Sequence, residues 1–143
     1  MGRNIGCLIF QSIVILKKKK MAIQLSIVIV NYNGLKHLKT CFDSIDQNLT
    51  GISHEVILVD NNSTDNSCQY LEENYPDIRL IKSKENIGFG AGNNLGVSKA
   101  KGKAILLLNN DTILLDHLSR ALDTLYQKST HGIVAINLSL IHI

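Results

Sequence analysis

Three apolar runs set the pattern of this chain, and each ends in polar side chains: Ile27-Val-Ile-Val-Asn-Tyr-Asn33, Val56-Ile-Leu-Val-Asp-Asn-Asn62 and Ala104-Ile-Leu-Leu-Leu-Asn-Asn-Asp111. A strand that is apolar at successive positions has both faces covered, which is the signature of a parallel sheet between helices. The polar residues then stand at the carboxyl ends of the strands, the edge where open α/β sheets bind their ligands.

Between the runs the apolar spacing becomes helical. Leu35, Leu38, Cys41, Phe42 and Ile45 mark one helix after the turn Asn31-Tyr-Asn-Gly34. The first strand is expected over 25–30 and the second over 55–59. Asn61-Asn-Ser-Thr-Asp65 is a dense set of turn and cap residues, and a helix over 67–74 follows, closed by Pro76. A short strand over 78–81, a glycine-rich loop, a helix over 94–100 and a strand over 104–108 come next. Asp116 is expected to cap a last helix reaching Gln127, with Leu118, Leu122 and Leu125 as its buried stripe, and 133–136 reads as a further strand. This βαβα succession predicts an α/β, mainly parallel sheet with helices on both faces. Right-handed crossovers favour the strand order third, second, first, fourth, which opens a switch point beside Asn31, Tyr32, Asn109 and Asp111, with Asp60 one strand further along.

The chain has 143 residues, enough for one core and one domain. Its net charge of +3 comes from the run Lys17 to Lys20, so the remainder is near neutral and suggests no nucleic-acid stripe. Cys7, Cys41 and Cys68 are odd in number and widely separated, which argues against a disulfide framework or a zinc site and fits a reducing cytoplasm. The histidines lack the spacing of metal ligands.

The ends differ from the middle. The apolar run of residues 5–16 is shorter than the roughly 20 residues needed to cross a bilayer, and its lysines follow it, the reverse of a signal peptide. Residues 1–20 are therefore expected to be an upstream-translated or disordered extension, with Met21 as the natural start. Residues 138–143 read as a non-native tail, which leaves 21–137 as the domain and the fold as a truncated one.

Asp111 and Asp60 both end strands, and acidic tips at one edge suit a cation, a ribose or a pyrophosphate; the natural cation is a hard one such as Mg²⁺ or Mn²⁺. Each also has a plain reading as a turn or cap residue. In Asn86-Ile-Gly-Phe-Gly-Ala-Gly-Asn-Asn-Leu-Gly96 the GxG begun by Gly88 lacks its third glycine, since Asn93 stands there, so a dinucleotide fingerprint is a poor match. Those glycines serve either close approach to a ligand or tight packing of a helix on the sheet.

Four segments, Ser26 to Gly34, Ile57 to Asp65, Asn86 to Gly96 and Leu107 to Thr112, together resemble in order and spacing the family 2 glycosyltransferases of GT-A fold, nearest to the rhamnosyltransferase-like branch. The resemblance implies a Rossmann-like nucleotide-diphospho-sugar transferase sheet. It also implies an inverting transfer of a sugar, of hexosyltransferase type, from a nucleotide-diphosphate sugar to a saccharide or lipid-linked acceptor hydroxyl in cell-surface polysaccharide synthesis. By the family pattern Asn31, Tyr32, Asn33 and Asp60 hold the base and ribose, and Asn62, Gly88, Asn93, Asn109 and Asn110 complete the donor site. Asp111 ends a DxD-type motif and binds the divalent cation; Asn109 replaces the motif's first acid. The general base is expected beyond this chain, and the protein is expected in the cytoplasm, with a peripheral place on the inner membrane face left open. Three other readings are an inert nucleotide-sugar-binding module, a sugar-nucleotide pyrophosphorylase, which would need a GxGxRxxP-like loop after the first strand, and a receiver-type domain phosphorylated on Asp60.

Overall fold

The computed structural model describes residues 13–17, 23–127 and 133–136, so the expected tail and the start at Met21 lie outside the described residues. The elements are β1 (Ile13–Lys17), β2 (Leu25–Asn31), α1 (Leu35–Asn48), β3 (His54–Asp60), α2 (Ser67–Asn74), β4 (Arg79–Lys82), α3 (Phe89–Lys99), β5 (Ala104–Asn109), α4 (Ser119–Gln127) and β6 (Ile133–Ile136). The sheet runs β4-β3-β2-β5-β1-β6. Its first four strands are parallel and in the order expected.

β2 is the centre, and every one of its residues is buried. Its alternate side chains feed two cores. Leu25, Ile27 and Ile29 pack with Leu38, Cys41, Phe42 and Ile45 of α1, Leu71 of α2, and Leu122 and Leu125 of α4. Val28 packs on the opposite face with Ile57, Ile105 and Ala100, with Val97 of α3 against them. Helices therefore cover both faces, and among the described residues α3 is the helix on the second. The buried hydroxyl of Ser26 is satisfied, donating to Glu55 Oε1 at 2.6 Å and accepting from the Gly102 amide at 2.7 Å.

Two expectations are corrected. The glycine-rich segment is not a loop before a helix over 94–100, because α3 already begins at Phe89. Its glycines explain why: a Cβ on Gly92 would lie 3.0 Å from both methyls of Val30, and one on Gly96 would overlap Val28 Cγ1. They let the helix backbone settle onto the central strand. The last helix starts at Ser119, later than a cap at Asp116 implies.

A further difference is β1, which lies in the segment read as an extension. It pairs antiparallel with β5 (Ile15 opposite Leu106) and with β6 (Ile15 opposite Val134), so β5 and β6 are joined only through it.

Candidate functional site

Strand register brings the polar tips together. Asn31 is opposite Asp60 on β3, and Val30 is opposite Asn109 on β5. The tips are then bound to one another by side chains. Asp60 is 1% exposed, and its Oδ1 accepts from Asn31 Nδ2 at 2.9 Å and from Ser63 Oγ at 2.6 Å, while its Oδ2 accepts from the Ser63 amide at 2.8 Å. Asn31 is 0% exposed; Nδ2 also donates to Ser63 Oγ at 3.1 Å, and its Oδ1 accepts from Asn110 Nδ2 at 2.7 Å. The turn after β2 is tied to the turn after β3 a second time, because Asn33 donates its amide to Ser63 Oγ at 2.9 Å and accepts from the Thr64 amide at 2.8 Å.

Asparagine fits these turns for a backbone reason. Asn33, Asn62 and Asn66 have φ of 50°, 64° and 64°, the left-handed region that asparagine tolerates better than most residues. Asp65 clasps the same region: its Oδ2 accepts from the first amide of α1, Leu35 N, at 2.8 Å, and its Oδ1 from Ser67 N at 3.1 Å and from the Ser67 hydroxyl. Burial pushes the Asp65 carboxyl up, but the bonds from Ser67 and Leu35 outweigh it and hold the group below the usual aspartate value.

On the β5 side, Asn109, Asn110, Asp111 and Thr112 form a turn closed by Thr112 N donating to Asn109 O at 3.2 Å. Thr112 is buried, whereas Asp111 is exposed. Cys41 lies beneath the turn with its thiol 3.8 Å from Asn109 O; burial first, and the charge of Asp111 second, push that thiol up to about 12. Among the described residues no three His, Cys, Asp or Glu side chains converge as a metal cage.

The side chains named from sequence thus fall into groups. Asn31, Asp60 and Asn110 hold one another, with Asn31 and Asp60 buried and hydrogen-bonded within the protein. Asn93 is 7% exposed and donates to Phe89 O at 3.1 Å within α3, so it too acts inside the fold. Tyr32 is 54% exposed, and Asn33, Asn62, Gly88 and Asp111 also face outward, with Asn109 half-buried. Burial of Asp60 likewise removes the receiver-type reading, which needs an accessible phosphoacceptor.

The sequence reading passed over Asn61. It is 2% exposed, its Nδ2 donates to Gly88 O at 3.2 Å, and its Oδ1 is a buried acceptor with no partner. A native fold seldom leaves such an atom unpaired without a reason. It stands between the β3 tip and the start of α3, where Gly88 (φ 82°) has nothing within 4 Å of an added Cβ. The signal was a third polar residue in Asp60-Asn61-Asn62, hidden because Asp60 drew the attention.

Comparison with known proteins identifies the family and the fold. The model of glycosyl transferase family 2 matches residues 26–138. The chain belongs to that family. Glycosyltransferase GlyG of Streptococcus pneumoniae is 33% identical over 107 residues, which are 73% of this chain and 34% of that protein. Among solved structures, TarS of S. aureus in complex with UDP superposes with a TM-score of 0.64 at 21% identity, covering 73% of this chain and 32% of the other. The mannosyltransferase PcManGT of Pyrobaculum calidifontis, in complex with GDP-Man and Mn²⁺, gives 0.62 at 19% identity, covering 79% and 37%. These two show the shared GT-A fold. The chain spans about a third of the length of the curated relatives it matches. Among the described residues no helix is long and apolar enough to cross a membrane.

Proposed function

We propose that this chain is the donor-binding part of an inverting hexosyltransferase, taking a sugar from a nucleoside diphosphate to an acceptor hydroxyl in cell-surface polysaccharide synthesis, on the cytoplasmic side. The observation that carries the reading is the unpaired, buried Asn61 Oδ1 beside the start of α3, on the same sheet edge as the exposed Asp111. A nucleobase N–H satisfies the first, and a cation held with a diphosphate suits the second.

The metal reading fits the residues in a specific way. Mg²⁺ and Mn²⁺ in nucleotide enzymes take one or two carboxylates plus substrate phosphates and water, not an all-protein cage. One exposed aspartate on a hydrogen-bonded turn, with no cluster of three His, Cys, Asp or Glu around it among the described residues, is that kind of donor set. When bound, the cation supplies charge stabilisation for the departing nucleoside diphosphate. The protein's own contribution is orientation: the asparagine turns fix the tips, Tyr32, Asn33 and Asn62 face the ligand side, and Gly88 leaves the backbone approachable. The acceptor, saccharide or lipid-linked, and the general base are assigned to no residue of this chain.

Calorimetric titration of the full chain with UDP, dTDP and GDP, each in Mn²⁺, tests the reading. One diphosphate is expected to bind in preference to the others, with binding weakened about tenfold or more by Asn61→Ala, the scale for leaving a buried hydrogen-bonding site unmatched. No diphosphate binding to protein that is folded by circular dichroism would overturn it.

A further inference from the structure

The geometry points to Asn31 and Asn110 as positioning residues: through them the turn that carries Asp111 and the β3 tip are held in one fixed arrangement, so that cation binding and diphosphate binding are coupled through the protein as well as through the ligand. This rests on the donor-site reading above and goes past it, because it gives two residues of the sheet edge a role that involves no contact with the substrate.

Four observations converge. Asn31 has three side-chain partners, with two donations, to Asp60 at 2.9 Å and Ser63 at 3.1 Å, and one acceptance, from Asn110 at 2.7 Å. It is buried on the central strand, and both its amide nitrogen and its amide oxygen are engaged within the protein. Asn110 belongs to the same turn as Asp111, and its amide nitrogen is turned inward to the sheet while Asp111 stays outside. Gly34 completes the arrangement: a Cβ there would sit 2.5 Å from Asn31 Oδ1 and overlap Asn110 Nδ2. Its φ of −108° suits any residue, so only this side-chain bond demands a glycine at the position.

The chain Asn110 to Asn31 to Asp60 to Ser63 therefore crosses three parallel strands. The Asp60 carboxylate polarises the Asn31 amide and makes its oxygen a better acceptor for Asn110, so the links strengthen one another. A turn held in this way loses little freedom when a cation and diphosphate arrive, and that saving appears as affinity.

Gly34→Ala and Asn110→Leu break the same bond from opposite sides. In the first the new methyl overlaps the Asn110 amide and presses on Asn31 Oδ1, and the second keeps the branched side-chain shape while removing the donor. The test is calorimetry on the full chain with UDP, dTDP and GDP, each with and without Mn²⁺, reading the ratio of the two Kd values. Unfolded molecules lower the stoichiometry and leave that ratio untouched, so a merely structural role does not move it. In the parent protein the ratio for the preferred diphosphate is expected to be about tenfold or more, and in both variants to fall at least about fivefold, within the range of protein-borne couplings. A ratio unchanged in both variants overturns the relay while leaving the donor site standing. A parent ratio of one with tight diphosphate binding does the same. No diphosphate binding by the parent overturns the donor-site reading and the relay with it.

Discussion

Substituting Gly96 by alanine puts a methyl group where the structure has none to spare. α3 lies on the second face of the sheet, and a Cβ at position 96 would overlap Val28 Cγ1, with Val59 Cγ2 at 3.4 Å. Val28 is on the central strand and 0% exposed, and a β-branched side chain has few rotamers to escape into. Forcing a methyl into a packed interior costs about 1–3 kcal/mol, and the depth of this overlap places it toward the upper end. Alanine returns about 0.8–1.0 kcal/mol as a better helix former than glycine. The balance is a net loss of about 1–2 kcal/mol, or roughly 3–6 °C in Tm for a domain of this size. Gly92→Ala is the internal comparison: its Cβ meets the Val30 methyls at 3.0 Å, which a shift of a few tenths of an ångström relieves, so its loss is smaller than that of Gly96→Ala. Urea unfolding followed by circular dichroism reads both. Val28→Ala combined with Gly96→Ala is expected to show a favourable coupling of about 1 kcal/mol, because removing Cγ1 makes room for the new methyl. A Gly96→Ala protein as stable as the parent, or more so, would refute the packing role of these glycines.

Asp65→Ala is expected to cost about 1 kcal/mol, the usual worth of a helix cap, and to flatten the acid limb of the stability curve. The Asp65 carboxyl lies below its ordinary value of 3.8 in the fold, so its contribution is complete above that value and is lost as pH falls through the lower folded pKa; an unchanged acid limb in melts between about pH 2 and pH 6 would count against the clasp. Cys41, buried and with its thiol pushed up to about 12, is expected to resist Ellman's reagent at pH 8 until the protein unfolds in denaturant, and rapid native labelling would show the turn above it to be open.

The strands were legible because burial on both faces writes an unbroken apolar run, and β2 through β5 have the order that right-handed crossovers give when the fourth strand returns beside the first. α2 agrees with its predicted bounds because turn residues and Pro76 punctuate both ends. What stayed hidden depends on tertiary contact. The start of α3 could not be read because glycine disfavours a helix locally, and only the methyls of Val28 and Val30 explain its use. β1 could not be read because its partners are distant in sequence. At the site, residue type marked the edge but not how its side chains pair: Asn31, Asp60 and Asn110 bind one another, and Asn61, which keeps a free acceptor, was not singled out. Burial and hydrogen-bond accounting make that distinction, and neither is visible in composition or spacing.

The central claim is that the carboxylate of Asp111 holds a divalent cation together with a nucleoside diphosphate. It is tested most directly by calorimetry of the preferred diphosphate with the full chain and with Asp111→Ala, each with and without Mn²⁺. The parent protein is expected to bind about tenfold or more tightly with the metal, and Asp111→Ala to bind equally weakly with and without it. Retention of the full Mn²⁺ enhancement in Asp111→Ala would contradict the account.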